Sequence, residues 1–188
     1  MTLEEVRHSD KYHARINSFT DVIHSYVLSI QKSPKEYHKP LKGGLDMALR
    51  IVTGSHASFV SVKILDSLSE QKIMVNPFDL IWEDRHQMGH ITLNNRKYSI
   101  AVWEHTIPIK EFRESLIKDY DKDKVKETLF EYPGVAWITR EEDIKLTELG
   151  FQTKRPGGFL KCYDQAGIKL LHTLNYEHKI KQNIKKWI

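Results

Sequence analysis

The sequence predicts an α+β fold with mixed α/β packing: N-terminal helices, a central and mostly antiparallel sheet, and C-terminal helices. Three observations carry that expectation. An apolar stripe at three- and four-residue spacing runs through the first thirty residues. Between positions 59 and 103 the period shortens, and β-branched and aromatic segments alternate with turn residues. Helical signals return after Pro108 and are interrupted by one apolar strand. With 188 residues, 40% of them hydrophobic and 29% charged, the chain is long enough to bury one core. A single domain over 1–188 is expected: helical in 1–55, sheet-rich in 56–106, and helical with one further strand in 107–188.

Residues 3–31 read as one or two helices, in which Ile16, Phe19, Val22, Ile23, Tyr26, Val27 and Ile30 form the stripe. Ser33-Pro34 stops it, because the residue before a proline is pushed out of helical geometry. A second helix over 44–52 is closed by Gly54. The segments 59–65, 72–75, 78–82, 90–93 and 97–103 read as an antiparallel meander of four or five strands. Asn94-Asn95 supplies a two-residue turn within it. The strand at 97–103 is apolar on both faces, which marks it as central. Pro108 opens a helix reaching Tyr120, and 121–130 is either a short continuation of it or a separate helix. GVAWIT (134–139) is an apolar strand. Thr139 and Glu142 then make a capping box for a helix closed by Gly150. Helix 159–166, a short strand at 168–171 and a basic helix at 175–188 complete the chain.

Composition narrows the function classes. The net charge of +4 and pI near 9.0 lean towards polyanionic partners, DNA or RNA. From Lys154 onward eight Lys or Arg face only Asp164 and Glu177. One cysteine, Cys162, excludes an internal disulfide and a cysteine cage for zinc. The polar, acidic start predicts no export leader, and no apolar run reaches the ~20 residues of a membrane span. A cytoplasmic protein with no membrane partner is expected.

The candidate chemistry centres on Glu104, an acid at the end of an apolar strand with an amphipathic helix behind it. Asp79, preceding another apolar segment, and Asp84 are the nearest acids in sequence. Two carboxylates from neighbouring strands, Asp79 and Glu104, are the candidate ligands for Mg²⁺, which takes hard oxygen donors and activates water for phosphodiester cleavage. Asp84 is the alternate ligand. The element order over about 79–139 resembles the PD-(D/E)xK nuclease superfamily. Pro77-Phe78-Asp79 stands for its proline–aspartate element with one extra residue, Glu104 for its second acid, and GVAWIT for the strand after the crossover helix. The family's lysine position is occupied by Thr106. The resemblance implies a metal-dependent nuclease-like hydrolase in which Lys110, on the following helix, reaches back to orient the nucleophile.

Bland readings compete at each position. Counting back from the Asn94-Asn95 turn places Arg85 opposite Glu104, so a cross-strand ion pair would explain the acid without a metal. His86, His90 and His105 lie near one another in sequence, but a strand would hold His86 and His90 about 13 Å apart, too far to share one ion. Asp119-Tyr-Asp121-Lys-Asp123 lacks the glycine and the closing acid of a calcium loop. The stretch 141–167 has a helix-turn-helix outline spoiled by Pro156-Gly157-Gly158. Its basic residues Lys154, Arg155 and Lys161 are the candidate phosphate contacts, and its aromatics Phe151, Phe159 and Tyr163 suit either bases or core. A non-catalytic basic protein that binds nucleic acid or regulates is therefore the alternative to the nuclease.

Overall fold

The computed structural model of the protein describes residues 10–54, 57–93 and 95–172. The start of the first helix (3–9), Asn94 of the hairpin turn and the basic helix expected at 175–188 lie outside the described residues. Two helices lead, α1 (Asp10–Lys32) and α2 (His38–Thr53), and β1 (Ala57–Ser61) then runs straight into α3 (Val62–Glu70). A hairpin, β2 (His90–Leu93) and β3 (Arg96–Ser99), precedes β4 (Ala101–His105). The order continues as α4 (Ile109–Lys118), α5 (Lys122–Glu131), β5 (Val135–Thr139), α6 (Arg140–Glu148), α7 (Phe159–Gln165) and β6 (Leu170–His172). The architecture is α+β.

The sheet differs from the expected meander. Its order is β4-β5-β1-β6, with β5 and β1 parallel and the two outer pairs antiparallel. Only β2 and β3 keep the meander register, with Leu93 opposite Arg96 and His90 opposite Ser99, and they form a separate ribbon. Capping chemistry explains why the other segments leave the strand state. Ser61 Oγ accepts from the Ile64 N–H at 3.3 Å and starts α3 inside the apolar run. Lys72, at φ 55, closes that helix, and the Ile73 N–H returns to the Leu68 carbonyl at 2.9 Å. Asn76 Oδ1 accepts from the Phe78 N–H at 3.2 Å, and Pro77 follows it into a 3₁₀ turn. Residues Trp82–Met88 form a longer 3₁₀ segment in which Asp84 Oδ2 accepts from the Ile81 N–H at 3.2 Å. Arg85 therefore lies in that segment and does not oppose Glu104.

The helical expectations stand with small boundary changes. Ile16, Ile23, Val27 and Ile30 of α1 pack with α2, α4 and α5 into one cluster, while Val22, expected in the stripe, is 46% exposed. Gly54 caps α2. Asp121 caps α5 through Oδ1, which accepts the Asp123 and Lys124 N–H groups. The capping box is present: the Thr139 N–H donates to Glu142 Oε2 at 2.8 Å, and the Glu142 N–H donates to Thr139 Oγ1 at 3.2 Å.

Two further clusters sandwich the sheet. One joins Ala101 and Trp137 to Ile64 and Leu68 of α3 and to Leu80 and Met88. The other joins Ala136 and Ile138 to Leu146 of α6 and Tyr163 of α7. β4 is thus covered on both faces although it is the end strand of the described sheet. Its two-sided apolarity reports the layers above and below it, not a central place in the strand order. Among the described residues no helix is long and apolar enough to cross a membrane.

Candidate functional site

β4 divides the chemistry. Side chains alternate across a strand, so Ala101 and Trp103 pack with the α3 cluster while Val102 packs with the α6–α7 cluster. Glu104 follows Val102 to the second side and His105 follows Trp103 to the first. Backbone pairing with β5 fixes the register, with Glu104 opposite Ala136 and His105 opposite Val135.

On its side Glu104 meets Arg155, whose Nη2 donates to Glu104 Oε1 at 2.5 Å. The arginine side chain is 1% exposed and the glutamate 19%. The Arg155 backbone N–H donates to Glu111 Oε2 at 2.8 Å, so the first turn of α4 holds the main chain while β4 holds the side chain. The guanidinium also lies 5.6 Å above the Tyr163 ring. Its Nε and Nη1 and the Tyr163 hydroxyl are buried without hydrogen-bond partners among the described residues. Burial pushes the Glu104 carboxyl up to about 7, against the pull of Arg155 and with a further upward push from Asp143. Burial also raises the Tyr163 and Tyr132 phenols, each with a contribution from Glu104.

The remaining candidates are used locally. Asp79 accepts from Asn76 Nδ2 at 2.9 Å, and Asp84 accepts from Gln87 Nε2 at 2.9 Å besides capping its 3₁₀ segment. Thr106, at the family's lysine position, is fully buried and donates through Oγ1 to the Gly134 carbonyl at 2.6 Å, tying the end of β4 to the start of β5. Lys110 is exposed in the first turn of α4; its neighbour Glu111 is the residue that reaches the Glu104 side, through Arg155. Among the described residues no three His, Cys, Asp or Glu side chains are grouped to hold an ion. With Glu104 bound by Arg155, the residues present do not assemble the Mg²⁺ ligand set that the resemblance implies.

Of the expected phosphate contacts, Lys154 and Lys161 are exposed, but Arg155 is 3% exposed and serves as the loop's anchor. The helix-turn-helix outline fails because the α6–α7 connection spans 149–158, far longer than the three or four residues of that motif's turn. Phe151, Phe159 and Tyr163 belong to the core cluster.

On the other side of β4, Trp103 and His105 line a cleft of about 740 Å³ that also takes Arg15, Arg50, Trp82 and Glu83. His105 is 8% exposed and its Nε2 has no hydrogen-bond partner among the described residues. Burial, with the nearby Arg50 charge, lowers its pKa to about 4, so the imidazole is neutral. None of these cleft residues except His105 stood out in the sequence, because the cleft is assembled from α1, α2, a 3₁₀ segment and β4. A comparison with protein-family models, curated proteins and solved structures gives no match to this chain.

Proposed function

We propose that the protein is a non-enzymatic nucleic-acid-binding module that grips the phosphate backbone with the loop between α6 and α7. The observation that carries this reading is the anchoring of that loop by Arg155. Two acids from different elements, Glu104 of β4 and Glu111 of α4, hold one residue by side chain and main chain. Gly150, Gly157 and Gly158 adopt positive φ around it, which only glycine does without strain. Lys154 is thereby displayed on a fixed loop. The Lys161 stem lies along the Gly157 backbone, where an added Cβ would come within 2.9 Å of its Cδ. Lysines held this way contact phosphates and carry no base information. The pairing of Glu104 with Arg155 favours this reading over a nuclease, because it leaves no carboxylate free at the strand end.

Binding of a single-stranded and a duplex oligonucleotide, followed by fluorescence anisotropy across a salt series, tests the proposal. Affinity should fall as salt rises, and Lys154→Ala with Lys161→Ala should weaken binding to all sequences while lowering the log–log salt slope by roughly 0.7–0.9 per lysine. Binding that ignores the double change overturns the assignment to this loop. Incubation with Mg²⁺ should leave the oligonucleotides intact; cleavage that Glu104→Gln abolishes would restore the nuclease reading.

A further inference from the structure

We infer that the cleft on the opposite side of β4 is a nucleotide-unit site, taking an aromatic base against its indole-bearing lining and the attached phosphate on its arginines. The inference stands apart from the basic loop, since none of the cleft residues belongs to it.

The cleft's volume, about 740 Å³, falls within the range of ~300–1,000 Å³ that small-ligand sites occupy. Its lining combines two features that a simple surface groove lacks. Large apolar groups are left in water: Trp82 is 49% exposed, beside Ile81 at 43% and Ile51 at 44%. Cations stand among them, with Arg50 exposed and Arg15 donating through Nη2 to the Ile51 carbonyl at 2.8 Å. An apolar ligand would leave the guanidinium groups desolvated beside it, and a bare anion would leave the indoles uncovered. A ligand that is aromatic at one end and anionic at the other satisfies both, and a base with its phosphate has that composition.

The aromatic walls are also set in advance. The Arg85 guanidinium sits 3.9 Å from the centroid of the Trp82 ring and its Nη1 donates to the Trp82 carbonyl at 3.0 Å, which fixes that indole from one face. Trp103 packs edge-on against the buried Trp137, with centroids 4.5 Å apart. Gly54 lies beside it: a Cβ there would be in ordinary contact with Trp103 Nε1 at 3.5 Å and would crowd the Arg50 carbonyl at 2.6 Å. His105 adds a buried polar atom, Nε2, without a partner among the described residues. Glu83 is an acceptor on the same lining, suited to a base N–H. Walls ordered before the ligand arrives reduce the entropy lost on binding.

The nucleotide unit can come from a free mononucleotide or from a single strand, and the two are separable. Tryptophan emission of the full chain is followed during titration with AMP, GMP, CMP and UMP, with adenosine, and with a 5′-phosphorylated single-stranded oligonucleotide. The oligonucleotide titration is repeated in the Lys154→Ala/Lys161→Ala background, so that the basic loop does not contribute. Saturable quenching by at least one mononucleotide or by the oligonucleotide is expected. Arg50→Gln and Trp82→Ala should each weaken it tenfold or more, and adenosine should bind at least tenfold more weakly than AMP. Met47→Glu, which puts an acid on the same lining at a 60% exposed position, should do likewise without touching the core. Quenching by the oligonucleotide alone assigns the site to a strand, and quenching by mononucleotides assigns it to the free form. No quenching by any probe, quenching indifferent to all three substitutions, or adenosine binding as tightly as AMP overturns the inference. Loss of the loop's binding with the cleft's quenching intact, or the reverse, separates the two proposals.

Discussion

The two sides of β4 solve the problem of a polar residue at a strand end in opposite ways. Glu104 is enclosed, with an arginine from a distant loop seated on it, and the surrounding phenols are buried with it. His105, one residue later, is buried too, but it stays neutral and borders an open cleft. On the first side a charge is answered by a countercharge, and the pair fixes a loop. On the second the charge is avoided altogether, and among the described residues the lining sets two arginines, Arg15 and Arg50, against one acid, Glu83. Neither side is fully paired among the described residues, since Arg155 Nε and Nη1 and the Tyr163 hydroxyl are left over on one and His105 Nε2 on the other; the difference is that only the His105 side opens onto a cleft.

Removing the countercharge tests the enclosed side most severely. Arg155→Met keeps an unbranched apolar stem but leaves Glu104 buried without a cation, and it should destabilise the protein by about 3–5 kcal/mol. Adding Glu104→Leu should recover much of that loss, because replacing both members of a buried pair by apolar groups is often close to neutral. Urea unfolding of the wild type, the single variant and the double variant measures both steps. If the single change costs no more than a surface substitution, the pair does not hold the loop.

The contrast between the two sides has a pH signature. The folded Glu104 carboxyl has its pKa raised from 4.5 to about 7, so its contribution to stability is complete below 4.5 and is lost as pH rises through 7. The folded His105 imidazole is lowered from 6.5 to about 4, so its contribution is complete above 6.5 and is lost as pH falls through 4. Between about 4.5 and 6.5 the two slopes oppose each other and mask one another in the wild type. Glu104→Gln should unmask a stability that rises with pH across that window, and His105→Gln one that falls. Urea midpoints taken at several pH values report the slopes; parallel curves for all three proteins would show that neither group titrates with the fold.

What the sequence discloses about these sides follows the range of the interactions. Helix ends were legible because a cap sits within a few residues of what it caps, as Thr139 and Glu142 or Asp121 show. Glu104 stood out because an acid ending an apolar strand is a local anomaly. Its partner did not, since Arg155 lies 51 residues away in a loop that read as a phosphate contact. The strand forecast for 59–65 failed from 62 onward because the apolar run there suits either period and a single cap, Ser61, decides for helix. The cleft was invisible for a different reason: exposed Trp82 and Arg50 are ordinary residues until folding puts them on one lining.

The smallest expected effect separates two neighbours in the first turn of α4. Glu111 accepts the Arg155 main-chain N–H, so Glu111→Ala leaves that donor unsatisfied and should cost about 1–3 kcal/mol. Lys110 is exposed, and Lys110→Ala should change stability by less than about 0.5 kcal/mol, as surface substitutions away from such features do. The nuclease resemblance assigns the opposite importance, with Lys110 reaching back to Glu104 and Glu111 incidental. Arginine already fills the position beside that carboxylate, so a second cation has no acid left to serve. Thermal unfolding of the two alanine variants ranks them directly. A larger loss at Lys110 than at Glu111, or loss of Mg²⁺-dependent cleavage in Lys110→Ala, would mean that the enclosed side of β4 is a reaction site and not an anchor.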